Sequence, residues 1–219
     1  MSFIDQQELT RQFSRAYAEE VDLAFSAIDC VLNGEKAVYA SSELSTGQRV
    51  HSVLREIGAQ RSSELRPRLG EQEYTTRIWN PNVDAAMTFA RQLHYSLGGN
   101  QLVITPAPFM APGWNQQEYL AFWEALLRSR IKAVYFNDGW EYSNGCTFEF
   151  VVAADQGLPT FDAAGVPLGL SDATAQVAEA VEVLQRDRLD SDVLARTLDH
   201  LRELAGPVVS RNSVDEPMP

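Results

Sequence analysis

The sequence predicts an α/β fold: an open parallel sheet of four to five strands with helices on both faces, Rossmann or flavodoxin-like, with further helices at both termini. Three observations carry this. KAVYA at 36–40, QLVITP at 101–106 and IKAVYF at 131–136 read as short buried strands. Stretches with apolar residues three and four apart separate them, as amphipathic helices require. Strand and helix then alternate, which is the pattern of parallel βα units.

Each element follows in order. Leu9, Phe13, Tyr17, Val21, Ala24, Ile28 and Val31 mark a helix over 5–32, stopped by Asn33-Gly34. After KAVYA, SSELSTGQ (41–48) is a polar loop and Arg49 to Ile57 a helix. Residues 59–76, with Arg61, Arg66 and Arg68, read as a loop or an insertion. TTRIWNPN suggests a short strand ending at Asn80-Pro81. Asn82 then caps a helix with Ala85, Ala86, Phe89, Leu93 and Leu97 inward, closed by Gly98-Gly99. APFMAPGW is a loop, and Gln116 to Arg130 an amphipathic helix. IKAVYF leads through a loop into the helix holding Glu149, and LPTFDA is a last short strand. Two acidic helices, about 172–187 and 191–205, follow, with Leu194, Leu198 and Leu201 inward. The division is an N-terminal helix (1–34), an α/β domain (35–165), a C-terminal helical extension (166–205) and a flexible tail (206–219).

Composition narrows function. The 219 residues are 45% apolar and 22% charged, as in globular proteins, and carry a net charge of -12. That balance disfavours nucleic acid, whose backbone needs clustered Lys and Arg, but leaves room for a small nucleotide. No apolar run is long enough for a membrane span. The N-terminal MSFIDQQELTRQF has no signal-peptide core, so a cytoplasmic location is expected. Cys30 and Cys146 form no disulfide framework, no Cys/His spacing suggests zinc, and no cofactor is expected.

Cys146 to Ala154 reads CTFEFVVAA, an apolar run with Glu149 in its middle. A carboxylate there loses hydration unless partners replace it. A capping box would place an acid three residues after Ser143, where Cys146 stands, so capping does not explain Glu149. The first turns of a helix on a parallel sheet lie at the ligand edge, so Glu149 is placed to face a site. That edge also collects Ser41, Ser42, Glu43, Pro106 to Pro108, and Asp138 to Gly145. Ser143 is a good N-cap, Gly145 permits close approach, and free N–H groups at a helix start suit a phosphate.

Ser143, Gly145 and Glu149 in S-x-G-x-x-x-E spacing, with Gly139-Trp140-Glu141 before and Gly157-Leu158-Pro159 after, resemble the nucleoside 2-deoxyribosyltransferase-like superfamily. The nearest pattern is its branch of nucleotide N-glycoside hydrolases and uncharacterised relatives. VYASSELSTGQR resembles that superfamily's first strand and loop, and GNQLVITP its second strand; the likeness covers roughly 36–162. The resemblance implies that Glu149 attacks the anomeric carbon, that Ser143 contacts a 5′-phosphate and that Tyr39 lies near the reacting centre. It implies a site completed across a subunit interface, hence a homo-oligomer, a dimer being expected; the stripe on the first helix fits a second copy. Lys132 stands where the family commonly carries an aspartate that helps the base leave, with Asp138 or Glu43 as substitutes. The expected site is Glu149, Tyr39 and Asp138 for catalysis, and Ser41, Ser42, Trp140, Ser143, Asn144 and Gly145 for the substrate.

Plainer readings stand beside these. Glu149 is otherwise an edge residue or half of an ion pair, Ser143 only a cap, Trp140 and Tyr39 only packing, and Cys146 packing at a helix start. His51, His94 and His200 form no evident set. The expected activity is cleavage or exchange of the N-glycosidic bond of a nucleoside or nucleoside 5′-monophosphate. The alternatives are a non-catalytic nucleotide sensor and an interaction protein on the same fold.

Overall fold

The computed structural model describes residues 15–206; residues 1–14 and 207–219, including expected helix positions Leu9 and Phe13 and the tail from 207, lie outside the described residues. Four parallel strands form one sheet: β1 (Ala37–Ser41), β2 (Val103–Ile104), β3 (Ile131–Phe136) and β4 (Thr160–Phe161), in the order β2-β1-β3-β4. β1 is central and buried throughout. The connection from β1 runs to β2 on one side, and that from β2 crosses back past β1 to β3 on the other. The strand order therefore reverses between β1 and β3, which is where open α/β sheets bind ligands. A bond from Asn137 N–H to the Ser41 carbonyl (3.0 Å) ties the two strand ends together there.

Helices cover both faces. In chain order they are α1 (Arg15–Leu32), α2 (Gln48–Ile57), α3 (Leu65–Leu69), α4 (Glu71–Tyr74), α5 (Asn80–Ser96), α6 (Gln116–Arg130), α7 (Asn144–Asp155), α8 (Leu170–Arg186) and α9 (Asp192–Ala205). Alternation along β1 sends Val38 and Ala40 to one face, where Phe89, Ala90 and Leu93 of α5 cover them. Ala37 and Tyr39 face the other side, in a core with Trp123 and Leu127 of α6 and Phe150 and Val151 of α7. Leu184 of α8 and Leu194, Leu198 and Leu201 of α9 belong to that same core.

Three expectations change. Residues 59–76 are not an irregular loop but hold a 3-10 turn (Ser62–Glu64) followed by α3 and α4. TTRIW is not a strand but a π-helical turn, Thr75–Trp79, running straight into α5. Pro81 has no N–H for the carbonyl four residues back, and the turn before it is the widened one. Asn82 is therefore inside a helix rather than capping one.

Much of the apolar stripe of α1 packs on the same chain, through Tyr17, Val21, Ala24 and Ile28, whereas Val31 stays exposed. Phe25 stacks on Phe122 of α6 (5.0 Å), Tyr17 donates to the Glu118 carbonyl (2.7 Å), and Asp29 pairs with Arg130 (2.7 Å). No helix among the described residues is long and apolar enough to cross a membrane.

Candidate active site

β1 supplies Tyr39 and Ser41, alternate residues that share a face and point toward α7. α7 supplies Glu149 from its second turn. The Tyr39 hydroxyl donates to Oε1 of Glu149 and the Ser41 hydroxyl to Oε2, each at 2.6 Å. Glu149 is 6% exposed, and its pKa is pushed up to about 7 by burial, which the two hydroxyl donors oppose. The Tyr39 hydroxyl is raised well above its ordinary value, by burial first and then by the charge of Glu149. It thus remains a donor. This resolves the oddity of the apolar run: the charge is held by two hydroxyls from the neighbouring strand.

Other expected residues sit differently. Trp140 is 4% exposed, stacks on Phe150 (5.1 Å), and gives its N–H to Gln176 of α8. It packs the core instead of walling a ligand site. Asp138 is exposed, and Glu149 owes no part of its shift to it; Asp138 acts on Glu141 instead. Lys132 is exposed at the amino end of β3, while Phe136 pairs with Ser41 at the ligand edge. Those four residues span about 13 Å, so the correspondence with the family aspartate fails at Lys132. Glu43 receives the Gln48 amide at 2.6 Å and the Arg49 amide at 3.5 Å, capping α2.

Ser143 is buried and caps α7, its oxygen accepting from Cys146 N–H at 3.4 Å. Thr46 accepts from Asn144 N–H (3.0 Å). At the helix start expected to meet a phosphate, two hydroxyls of the protein thus take the N–H groups of Asn144 and Cys146. Gly145 is half-buried, and an added Cβ there meets only Ser143 Oγ, at 3.9 Å. Nothing in the chain requires its glycine. Burial pushes the Cys146 thiol up, which keeps it a neutral packing group.

Two residues, Thr46 and Thr105, escaped sequence reading. Thr46 belongs to the loop after β1 and acts across 98 residues. Ser42 and Thr105, just beyond β1 and β2, both bury a hydroxyl with no partner among the described residues. Ser42 was expected at the site; Thr105 was not, although its place before Pro106 at a strand end was a usable signal. His51 also buries a ring nitrogen without a partner. No group of three His, Cys, Asp or Glu side chains among the described residues is placed to hold a metal.

The fold and site define a doubly wound α/β protein with a buried, hydroxyl-bonded carboxylate at the point where its strand order reverses. Compared with protein-family models, curated proteins and solved structures, the chain matches none.

Proposed function

We propose that the protein cleaves or exchanges the N-glycosidic bond of a nucleoside or nucleoside 5′-monophosphate, with Glu149 acting on the anomeric carbon. The observation that carries this is the carboxylate of Glu149 held by Tyr39 and Ser41 at 2.6 Å each, buried at the sheet's reversal point. No cap or ion pair accounts for it. With a pKa of about 7, Glu149 is ionised in a substantial fraction at neutral pH. Its attack forms a C1′–O bond as the C1′–N bond breaks, and the base leaves with the bonding electrons. Water or a second base then attacks C1′ and frees the carboxylate, losing a proton that balances the one the departed base takes up. The two hydroxyls orient the carboxylate and stabilise the charge it regains.

A second reading, a nucleotide sensor without turnover, is favoured by one observation: Asp138 is exposed and takes no part in the electrostatics of Glu149. Chromatography of wild-type protein incubated with a panel of nucleosides and monophosphates separates the two. Free base supports the enzyme, and tight binding without free base supports the sensor.

A further inference from the structure

An open groove of about 690 Å³ runs along α2 and is lined by Arg49, His51, Arg55, Arg77 and Tyr142 among others. Glu149 does not line it. It begins at Tyr142, the neighbour of Ser143, and at Glu43, two residues beyond Ser41.

Its arginines are not equivalent. Arg55 pairs with Asp187 (2.6 Å), and Arg77 with Glu56 (2.6 Å) and Glu73 (2.8 Å). Arg49 has no ion pair within 4.0 Å among the described residues. Its Nε donates to Oδ1 of Asn82 (2.8 Å), while Nδ2 of Asn82 donates to the Leu44 carbonyl (2.7 Å). Asn82 is 1% exposed, so a buried amide holds this guanidinium at Nε and leaves Nη1 and Nη2 without hydrogen-bond partners among the described residues. A planar fork of this kind matches phosphate oxygens two at a time. Two residues further along α2, His51 is 7% exposed, with Nδ1 unpartnered among the described residues and the ring against Tyr142 (6.1 Å). Burial and the nearby Arg55 hold its pKa down to about 4. The neutral ring therefore gives an anion one N–H at most. Glu43, the carboxylate in the groove wall, accepts from the α2 amides and is near enough to Arg49 for their charges to interact, so a phosphate on Arg49 competes with it.

We propose that this groove seats a phosphomonoester held by Arg49. Combined with the glycosidic reading above, on which the identity of the rest of the ligand depends, the ligand is a nucleoside 5′-monophosphate whose phosphate lies on α2, not at Ser143.

Calorimetric titration with a nucleoside 5′-monophosphate, its nucleoside and ribose 5-phosphate tests this on wild type, Arg49→Gln and Ser52→Asp. Arg49 and Ser52 are exposed, and circular dichroism confirms the fold of each variant. Wild type is expected to prefer the monophosphate to the nucleoside by about tenfold or more, the scale of a hydrogen bond to a charged group. Each variant loses that preference and keeps its nucleoside affinity. Unchanged preference in Arg49→Gln, or none in wild type, overturns the groove. Ribose 5-phosphate binding through Arg49 with no base release from any nucleotide supports the groove and sinks the glycosidic reading. Equal cleavage of nucleosides and monophosphates, unaffected by Arg49→Gln, does the reverse.

Discussion

The hydroxyl of Tyr39 donates a 2.6 Å hydrogen bond to Oε1 of Glu149, joining the central strand to α7 across 110 residues of sequence. The bond favours the charged form of Glu149, against burial. A hydrogen bond to a charged group contributes about 1.5–3 kcal/mol, and one pKa unit is about 1.4 kcal/mol. Tyr39→Phe should therefore raise the Glu149 pKa by about one unit or more. Turnover at pH 7 should fall about tenfold and recover toward higher pH. A pH–rate profile with an acid limb identical to wild type would contradict this.

Stability should carry the same signature. Glu149 has an ordinary pKa of 4.5 and a folded value of about 7. Between those values the folded protein holds a proton that the unfolded chain has lost. Stability from this residue is therefore full below pH 4.5, falls as pH rises toward 7, and stays low above. The loss is about 3 kcal/mol. Glu149→Gln lacks it, so urea denaturation should show the variant gaining on wild type by about that amount between pH 4.5 and 8. Parallel pH curves would refute the raised pKa.

Gly47 should resist substitution. Its φ is 131°, and an added Cβ would lie 1.9 Å from Oε2 of Glu43, the oxygen that caps α2. Gly47→Ala must displace that cap and adopt a strained backbone. A loss of about 1–3 kcal/mol is expected. An unchanged denaturation midpoint would show that the loop after β1 rearranges freely.

Ser143 separates capping from phosphate binding. Ser143→Ala should cost about 1 kcal/mol, the value of an N-cap, while any preference for monophosphate over nucleoside persists. Loss of that preference would return the phosphate to the start of α7.

The fold was legible where the sequence made one physical choice. IKAVYF is a short, β-branched and aromatic run that reads as a strand, and Gln116 to Arg130 has an unbroken helical stripe. Between 59 and 80 the signals conflict. Thr75, Thr76 and Ile78 favour strands locally, yet burial of Ile78 and Tyr74 in the main core holds the segment helical. Glu149 was legible because a charge in an apolar run demands a partner. Its partners were only partly so: Tyr39 and Ser41 are adjacent to it solely through the pairing of helix and strand. Trp140 and Asp138 misled for a related reason. Two residues apart on one turn, Trp140 faces the core and Asp138 faces water. Arg49 and Asn82, 33 residues apart, gave no local sign of their bond.

The central claim is that Glu149 performs chemistry on a glycosidic carbon, and base release by Glu149→Gln tests it most directly. The amide keeps the shape of the side chain and removes its charge. Chromatography on a panel of nucleosides and nucleoside 5′-monophosphates should show free base with wild type. Release by the variant should drop at least about a thousandfold, as loss of a nucleophile does, with the fold intact by circular dichroism. Release by Glu149→Gln within about tenfold of wild type, or no release by wild type from any member of the panel, would contradict it.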